Sequence, residues 1–136
     1  MGEDDAVDVE RLRRLELFGD LDYHDLSAIS RWVDEVEVAE GDLLIEEGAL
    51  PYELFVIEEG SAEVEHDGAV LATLGSGDVV GEMAVLRQER RGASVRARST
   101  VRALAISVQE FQDLSTEMPE IAQQIRATMR RRGGER

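Results

Sequence analysis

The chain has 136 residues, with 30 acids against 15 basic residues for a net charge of −15, and every basic residue is arginine. That balance excludes a general binder of nucleic acid or of anionic membranes, because a phosphate backbone is held chiefly by cationic charge. Hydrophobic residues make up 43% of the chain, which excludes a wholly disordered acidic sequence and leaves enough apolar material for one domain over residues 1–136. Cysteine is absent, so disulfides, thiolate metal sites and a cysteine nucleophile drop out.

Met1 to Glu10 carries five acids and neither arginine nor a long apolar run. This is unlike a signal or transit peptide, and no apolar run reaches the length of a membrane span, so a cytoplasmic protein with no membrane partner is expected. Val7, Leu12 and Leu15 recur at helical spacing, and Asp22 stands where it can cap a second helix running through Ile29 and Trp32. A helical segment is therefore predicted over 6–32.

From 33 to 107 the pattern changes to brief apolar or alternating runs parted by turn signals such as Glu40-Gly41-Asp42, Glu59-Gly60 and Gly75-Ser76-Gly77-Asp78. Asp67-Gly68, between two such runs, predicts a hairpin on a type I′ turn, which needs positive φ at both positions. About eight short strands at near-regular spacing predict a mainly β fold, a sandwich or barrel with an enclosed interior such as a jelly roll. The period turns helical again over 108–132, where Ile121, Ala122, Ile125 and Met129 fall on one face. Pro119 suits the first turn of that helix and Gly133 its end, and Arg130, Arg131 and Arg132 suit the negative end of its dipole.

Charge is unevenly placed: residues 1–86 hold 24 acids and 4 arginines, whereas 87–136 hold 6 acids and 11 arginines. The boundary falls inside the most informative stretch, Gly81-Glu82-Met83-Ala84-Val85-Leu86 followed by Arg87-Gln88-Glu89-Arg90-Arg91 and Gly92-Ala93-Ser94-Val95. A glycine after a strand and before one apolar helical turn exposes backbone N–H groups that can cradle an anion. If a strand begins near Arg91, then Arg91, Ala93, Val95 and Ala97 share its inner face, while Arg96 and Arg98 point outward. A guanidinium directed into a β-roll needs an anion, either a ligand phosphate or an internal carboxylate such as Glu82. In a ligand site Glu82 would accept a hydrogen bond from a neutral hydroxyl, for which a ribose 2′-OH is a natural candidate.

Gly81 to Leu86 and Arg91 to Val95 together resemble the phosphate-binding cassette of the cyclic nucleotide-binding domain family, which includes the catabolite activator protein and the regulatory subunits of the cyclic-AMP-dependent kinase. The likeness continues through Leu17-Phe18-Gly19-Asp20-Leu21, Glu40 to Gly48, Phe55 to Gly60 and Leu74 to Asp78, an ordered series over about residues 12 to 130. The resemblance implies that Arg91 binds the cyclic phosphate and Glu82 the ribose 2′-OH. It also implies that amides around Gly81, Met83, Ala84, Gly92 and Ala93 complete the contacts, and that Val70, Leu71, Ile125 and Met129 approach the purine. Family members favouring cyclic GMP carry threonine after the cassette arginine, whereas this chain has Gly92; cAMP is the expected ligand and cGMP the less favoured one. The last helix carries no aromatic residue to stack on a base, since the final aromatic is Phe111.

Other chemistry finds little support. Only His24 and His66 are available as imidazole ligands, and both are expected to face solvent, so neither a metal nor another cofactor is expected. Glu46-Glu47 and Glu58-Glu59 flank turns and read as solvated faces. No nucleophile elbow occurs, so no enzyme activity is expected. The sequence to Arg136 holds no helix-turn-helix after the last helix, so direct DNA binding is not expected. The expectation is a cyclic nucleotide sensor acting on an effector protein through its C-terminal helix, with a homodimer through that helix as a further expectation. The alternative is a structural or protein-interaction β-roll whose site is filled by an Arg91–Glu82 pair.

Overall fold

A computed structural model of the chain describes residues 8–81 and 87–133. Two short helices, α1 (Val9–Arg13) and α2 (Tyr23–Ile29), each followed by a 3₁₀ turn, precede eight strands. These are β1 (Asp34–Val38), β2 (Leu43–Ile45), β3 (Glu53–Glu59), β4 (Ala62–His66), β5 (Ala69–Leu74), β6 (Val79–Val80), β7 (Ser94–Ala97) and β8 (Val101–Ser107). Helices α3 (Val108–Glu117) and α4 (Pro119–Gly133) follow. No helix among the described residues is long and apolar enough to cross a membrane.

Local chemistry sets the boundaries. Asp22 caps α2 by accepting from the Asp25 amide at 2.9 Å, as its position predicts. Ser107 and Glu110 form a reciprocal capping box at 3.0 and 2.9 Å, so β8 passes straight into α3. Asp67 and Gly68 both have positive φ, 53° and 80°, which meets the demand of the predicted type I′ turn. The hairpin is not regular throughout, because Val64 opposes Ala72 while Glu65 opposes Val70, leaving Leu71 as the extra residue of a bulge.

The strands form two four-stranded antiparallel sheets, ordered β1-β8-β3-β6 and β2-β7-β4-β5, which is the expected jelly roll. Two strands of the first sheet are buried on both faces. In β3, Phe55 and Ile57 enter the core between the sheets, whereas Leu54 and Val56 enter a second core beneath the helices. In β8, Ala103 and Ala105 face the roll while Leu104 and Ile106 face the helices. This double burial explains why Leu54-Phe55-Val56-Ile57 reads as an unbroken apolar run. Even the two-residue β6 divides its allegiance, with Val79 in the helical core and Val80 in the roll.

The stripe on α4 is also committed. Ala122, Ile125 and Met129 are buried in the helical core, where α4 packs against α3, β6 and the 3₁₀ turn that follows α1, so the face expected to support a homodimer is covered from within the chain.

Glu58 departs from the expected solvated face. Its carboxylate, 13% exposed, accepts two hydrogen bonds from Arg11 of α1, one of them from Nε at 2.9 Å, and Arg11 also reaches Glu35. The hydrogen bonds from Arg11 to Glu58 raise the guanidinium's pKa against the opposing effect of burial. A fork-to-fork pair of this kind fixes α1 on β3 by geometry as well as charge. Glu58→Ala removes the partner of a half-buried guanidinium and is expected to cost about 1–3 kcal/mol in urea unfolding. In a double-mutant cycle with Arg11→Ala, coupling below about 0.5 kcal/mol would show the pair to be incidental.

Candidate nucleotide-binding site

Arg91 sits 6% exposed at the wall of a cavity within the roll. The cavity is small, about 50 Å³, and opens to solvent on one side, below the roughly 300–1,000 Å³ of typical small-molecule sites. Its described lining comes from both sides of the roll: Ile45, Val64, Leu74, Val80 and Val95 supply apolar walls, and Gly81, Arg91, Gly92 and Ala93 a polar end. Arg91 is the one ionisable side chain among these residues.

The strand after Arg91 begins later than expected, at Ser94, yet the expected parity holds: Val95 and Ala97 are 4% and 0% exposed, and Arg98 lies outside. Arg91 itself is anchored by the 46–52 loop. Its amide donates to the Ala49 carbonyl at 2.9 Å, and its carbonyl accepts from the Gly48 amide at 2.8 Å. Its guanidinium donates through Nη1 to the Gly81 carbonyl at 2.8 Å and through Nη2 to the Glu53 carbonyl. Buried in this way, the side chain keeps hydrogen-bond partners that offset lost water.

Gly81 is required twice over. Its φ of +83° is left-handed, and a Cβ there would lie 2.6 Å from Arg91 Nη1 and 2.9 Å from Ile45 Cδ1. A Cβ on Gly92 would meet no atom of the described residues within 4 Å.

Burial raises the pKa of Glu53, whose carbonyl serves Arg91; Arg91 itself lowers it, and Asp34 and Glu110 add to the rise.

The structure brings Gly81, Arg91, Gly92 and Ala93 together around one cavity. Glu82, Met83 and Ala84 lie outside the described residues. Val70 and Leu71 are 52% and 61% exposed on β5 and are not part of the described lining. Ile125 and Met129 are fully buried in the helical core, apart from the cavity. Sequence reasoning missed Val64 and Leu74 as lining residues: alternation outward from the Asp67-Gly68 turn puts Val64 on the inner face, but Leu74 reaches that face only because of the bulge at Leu71. The carbonyl partners of Arg91 carry no side-chain signal at all.

Gly81→Ala is expected to cost about 1–2 kcal/mol for the left-handed backbone alone, and more if Arg91 must move; unchanged urea stability would contradict the close approach. A carboxyl raised in the folded state holds its proton more tightly there than in the unfolded chain, so ionisation of Glu53 opposes folding as pH rises through its raised value. Glu53→Gln should therefore be more stable than the wild type at pH 7, with an advantage that shrinks as pH falls through the carboxylate range. Denaturant midpoints across that range test the sign, and a Gln variant less stable at pH 7 would refute it.

Comparison with known proteins bears on the family and the fold. Residues 35–117 match the family described as the cyclic nucleotide-binding domain. A cyclic nucleotide-gated potassium channel from Rhizobium etli is 37% identical over 98 residues, covering 71% of this chain and 27% of the channel. The chain spans under a third of the length of the bacterial channel sequences it matches. The N-terminal domain of a transcriptional regulator from Streptomyces coelicolor is 32% identical, with a TM-score of 0.75 over 92% of each chain. The regulatory domain of Toxoplasma gondii protein kinase A, co-crystallised with cAMP, is 28% identical with a TM-score of 0.67, covering 77% of this chain and 42% of that one. The chain belongs to the cyclic nucleotide-binding domain family.

Proposed function

We propose that the cavity binds cAMP, with Arg91 holding the cyclic phosphate and the Gly81, Met83, Ala84, Gly92 and Ala93 amides completing a cradle around it. Glu82 would take the ribose 2′-OH, and the exposed Val70 and Leu71 would meet the purine from β5. The observation that carries the reading is the buried Arg91, set with two glycines at the polar end of an otherwise apolar cavity. In an acidic chain, one inward cation of fixed geometry suits a compact phosphate better than a polyanion. Absence of a hydroxyl at Gly92 favours cAMP over cGMP. We read the module as regulatory rather than catalytic and as acting in the cytoplasm.

Helix α4 is the proposed output element. It packs against β6, whose Val80 lines the cavity while Val79 shares the helical core with Ile125 and Met129. A ligand that shifts the Val80–Gly81 backbone therefore has a packed route to α4, and differential affinity for two helix positions would signal to an effector protein.

One observation favours a second reading, a structural roll that binds no nucleotide: the Arg91 guanidinium already donates to the Gly81 and Glu53 carbonyls. A thermal-shift titration separates the two. On the binding reading, cAMP at one hundred times its Kd stabilises the wild type by about 2.7 kcal/mol, and Arg91→Ala abolishes the shift. No shift in folded wild-type protein with cAMP or cGMP favours the structural reading.

A further inference from the structure

Next to the cavity, but not in its described lining, stands a histidine to which nucleotide binding assigns no role. Ala62 and Val64 of β4 are 0% and 7% exposed on the inner face, and His66 continues the same alternation at the end of the row. As the sequence suggested, the side chain keeps a solvent-facing part, 43% of its surface, while Nδ1 is turned inward. The ring is half-buried, with Nδ1 3.2 Å from Glu47 Oε2 and Nε2 3.2 Å from Asp67 Oδ2. Nδ1 is sealed from solvent, and its approach to Glu47 lacks the alignment of a hydrogen bond.

Glu47 belongs to the loop on which Arg91 is mounted. The Glu47 amide donates to Ser94 Oγ at 2.9 Å, the Gly48 amide to the Arg91 carbonyl at 2.8 Å, and the Arg91 amide to the Ala49 carbonyl at 2.9 Å. Arg90 Nη1 donates to the Gly48 carbonyl at 2.9 Å. Loop 47–49 is thus bonded along the side that carries Arg91, and His66 meets it from β4.

A neutral imidazole has a single N–H and can serve one of its two flanking carboxylates, whereas the protonated ring can serve both. We propose that His66 is a positioning residue for Arg91: on taking up a proton its ring joins Glu47 to Asp67, fixing loop 47–49 against the β4–β5 turn and so fixing the backbone that holds the guanidinium. The charged groups facing the ring are Glu47 and Asp67. Neighbouring strands contribute Ala69 opposite His66 and Ser94 opposite Glu65, neither of which titrates. Glu65 alternates to the other face of β4, where Arg96 engages it at 3.1 Å.

The ligand arm of this inference rests on the cAMP reading; the loop arm does not. The test combines calorimetry of cAMP binding at about pH 8 and about pH 5.5 with hydrogen-exchange protection of the Gly48 and Arg91 amides in ligand-free protein at the same pH values. Wild type is expected to gain about threefold or more in both affinity and protection on acidification. His66→Gln and Glu47→Gln should each lose both gains, and the exposed Glu47 substitution keeps the test usable should His66→Gln fold poorly. Protection that follows His66 without cAMP binding at either pH upholds the positioning role and sinks the nucleotide reading. An equal pH dependence of binding and protection in wild type and both variants overturns the role of His66 and leaves the nucleotide reading standing.

Discussion

A guanidinium cannot be taken out of water unless oxygen atoms replace the lost solvent, and at Arg91 backbone supplies two of them, the carbonyls of Gly81 and Glu53. These carbonyls lie on separate elements: Gly81 follows β6, and Glu53 begins β3. The Arg91 backbone is meanwhile bonded to Gly48 and Ala49. One residue therefore ties together the 46–52 loop, through its backbone, and the start of β3 and the end of β6, through its side chain, at the wall of the cavity. Gly81 has to be glycine because that tie brings Nη1 too close for a Cβ and because the chain turns there with positive φ.

The same strands that shape the cavity hold the helices. β3, β6 and β8 place alternate residues in the roll and in the helical core, so neither core can be rearranged without strands of the other. Arg11 and Glu58 fix α1 to β3 from outside, and α4 completes the helical core with Ile125 and Met129. A cavity wall and a helix surface are thus the two faces of β6, with Val80 and Val79 only one residue apart. Close packing makes such an arrangement responsive to small shifts, because interiors are not readily compressed.

Much of this was legible in the sequence where a local rule applied. Asp67-Gly68 announced its turn through backbone stereochemistry, Pro119 marked the first turn of α4, and alternation through Ala93, Val95 and Ala97 put Arg91 on the inner face. Long-range partners were not legible. Nothing local to Glu58 points to an arginine 47 positions earlier, and the carbonyls that hold Arg91 have no residue signature. The apolar face of α4 could be read, but not that α3, β6 and the turn after α1 cover it. Val70 and Leu71 illustrate a different limit, because a bulge beside them alters the register that alternation alone would assign. Residues 82–86, in the middle of the cassette, lie outside the described structure, so the role of Glu82 rests on the family resemblance.

The most direct test is a crystal structure of the chain with cAMP. The expected result is a cyclic phosphate in the Gly81–Arg91–Gly92 cavity, with its oxygens accepting from the Arg91 guanidinium and the base directed towards β5. A complex with the nucleotide elsewhere, and the Arg91 guanidinium making no contact with its phosphate, would contradict the assignment of this cavity as the ligand site.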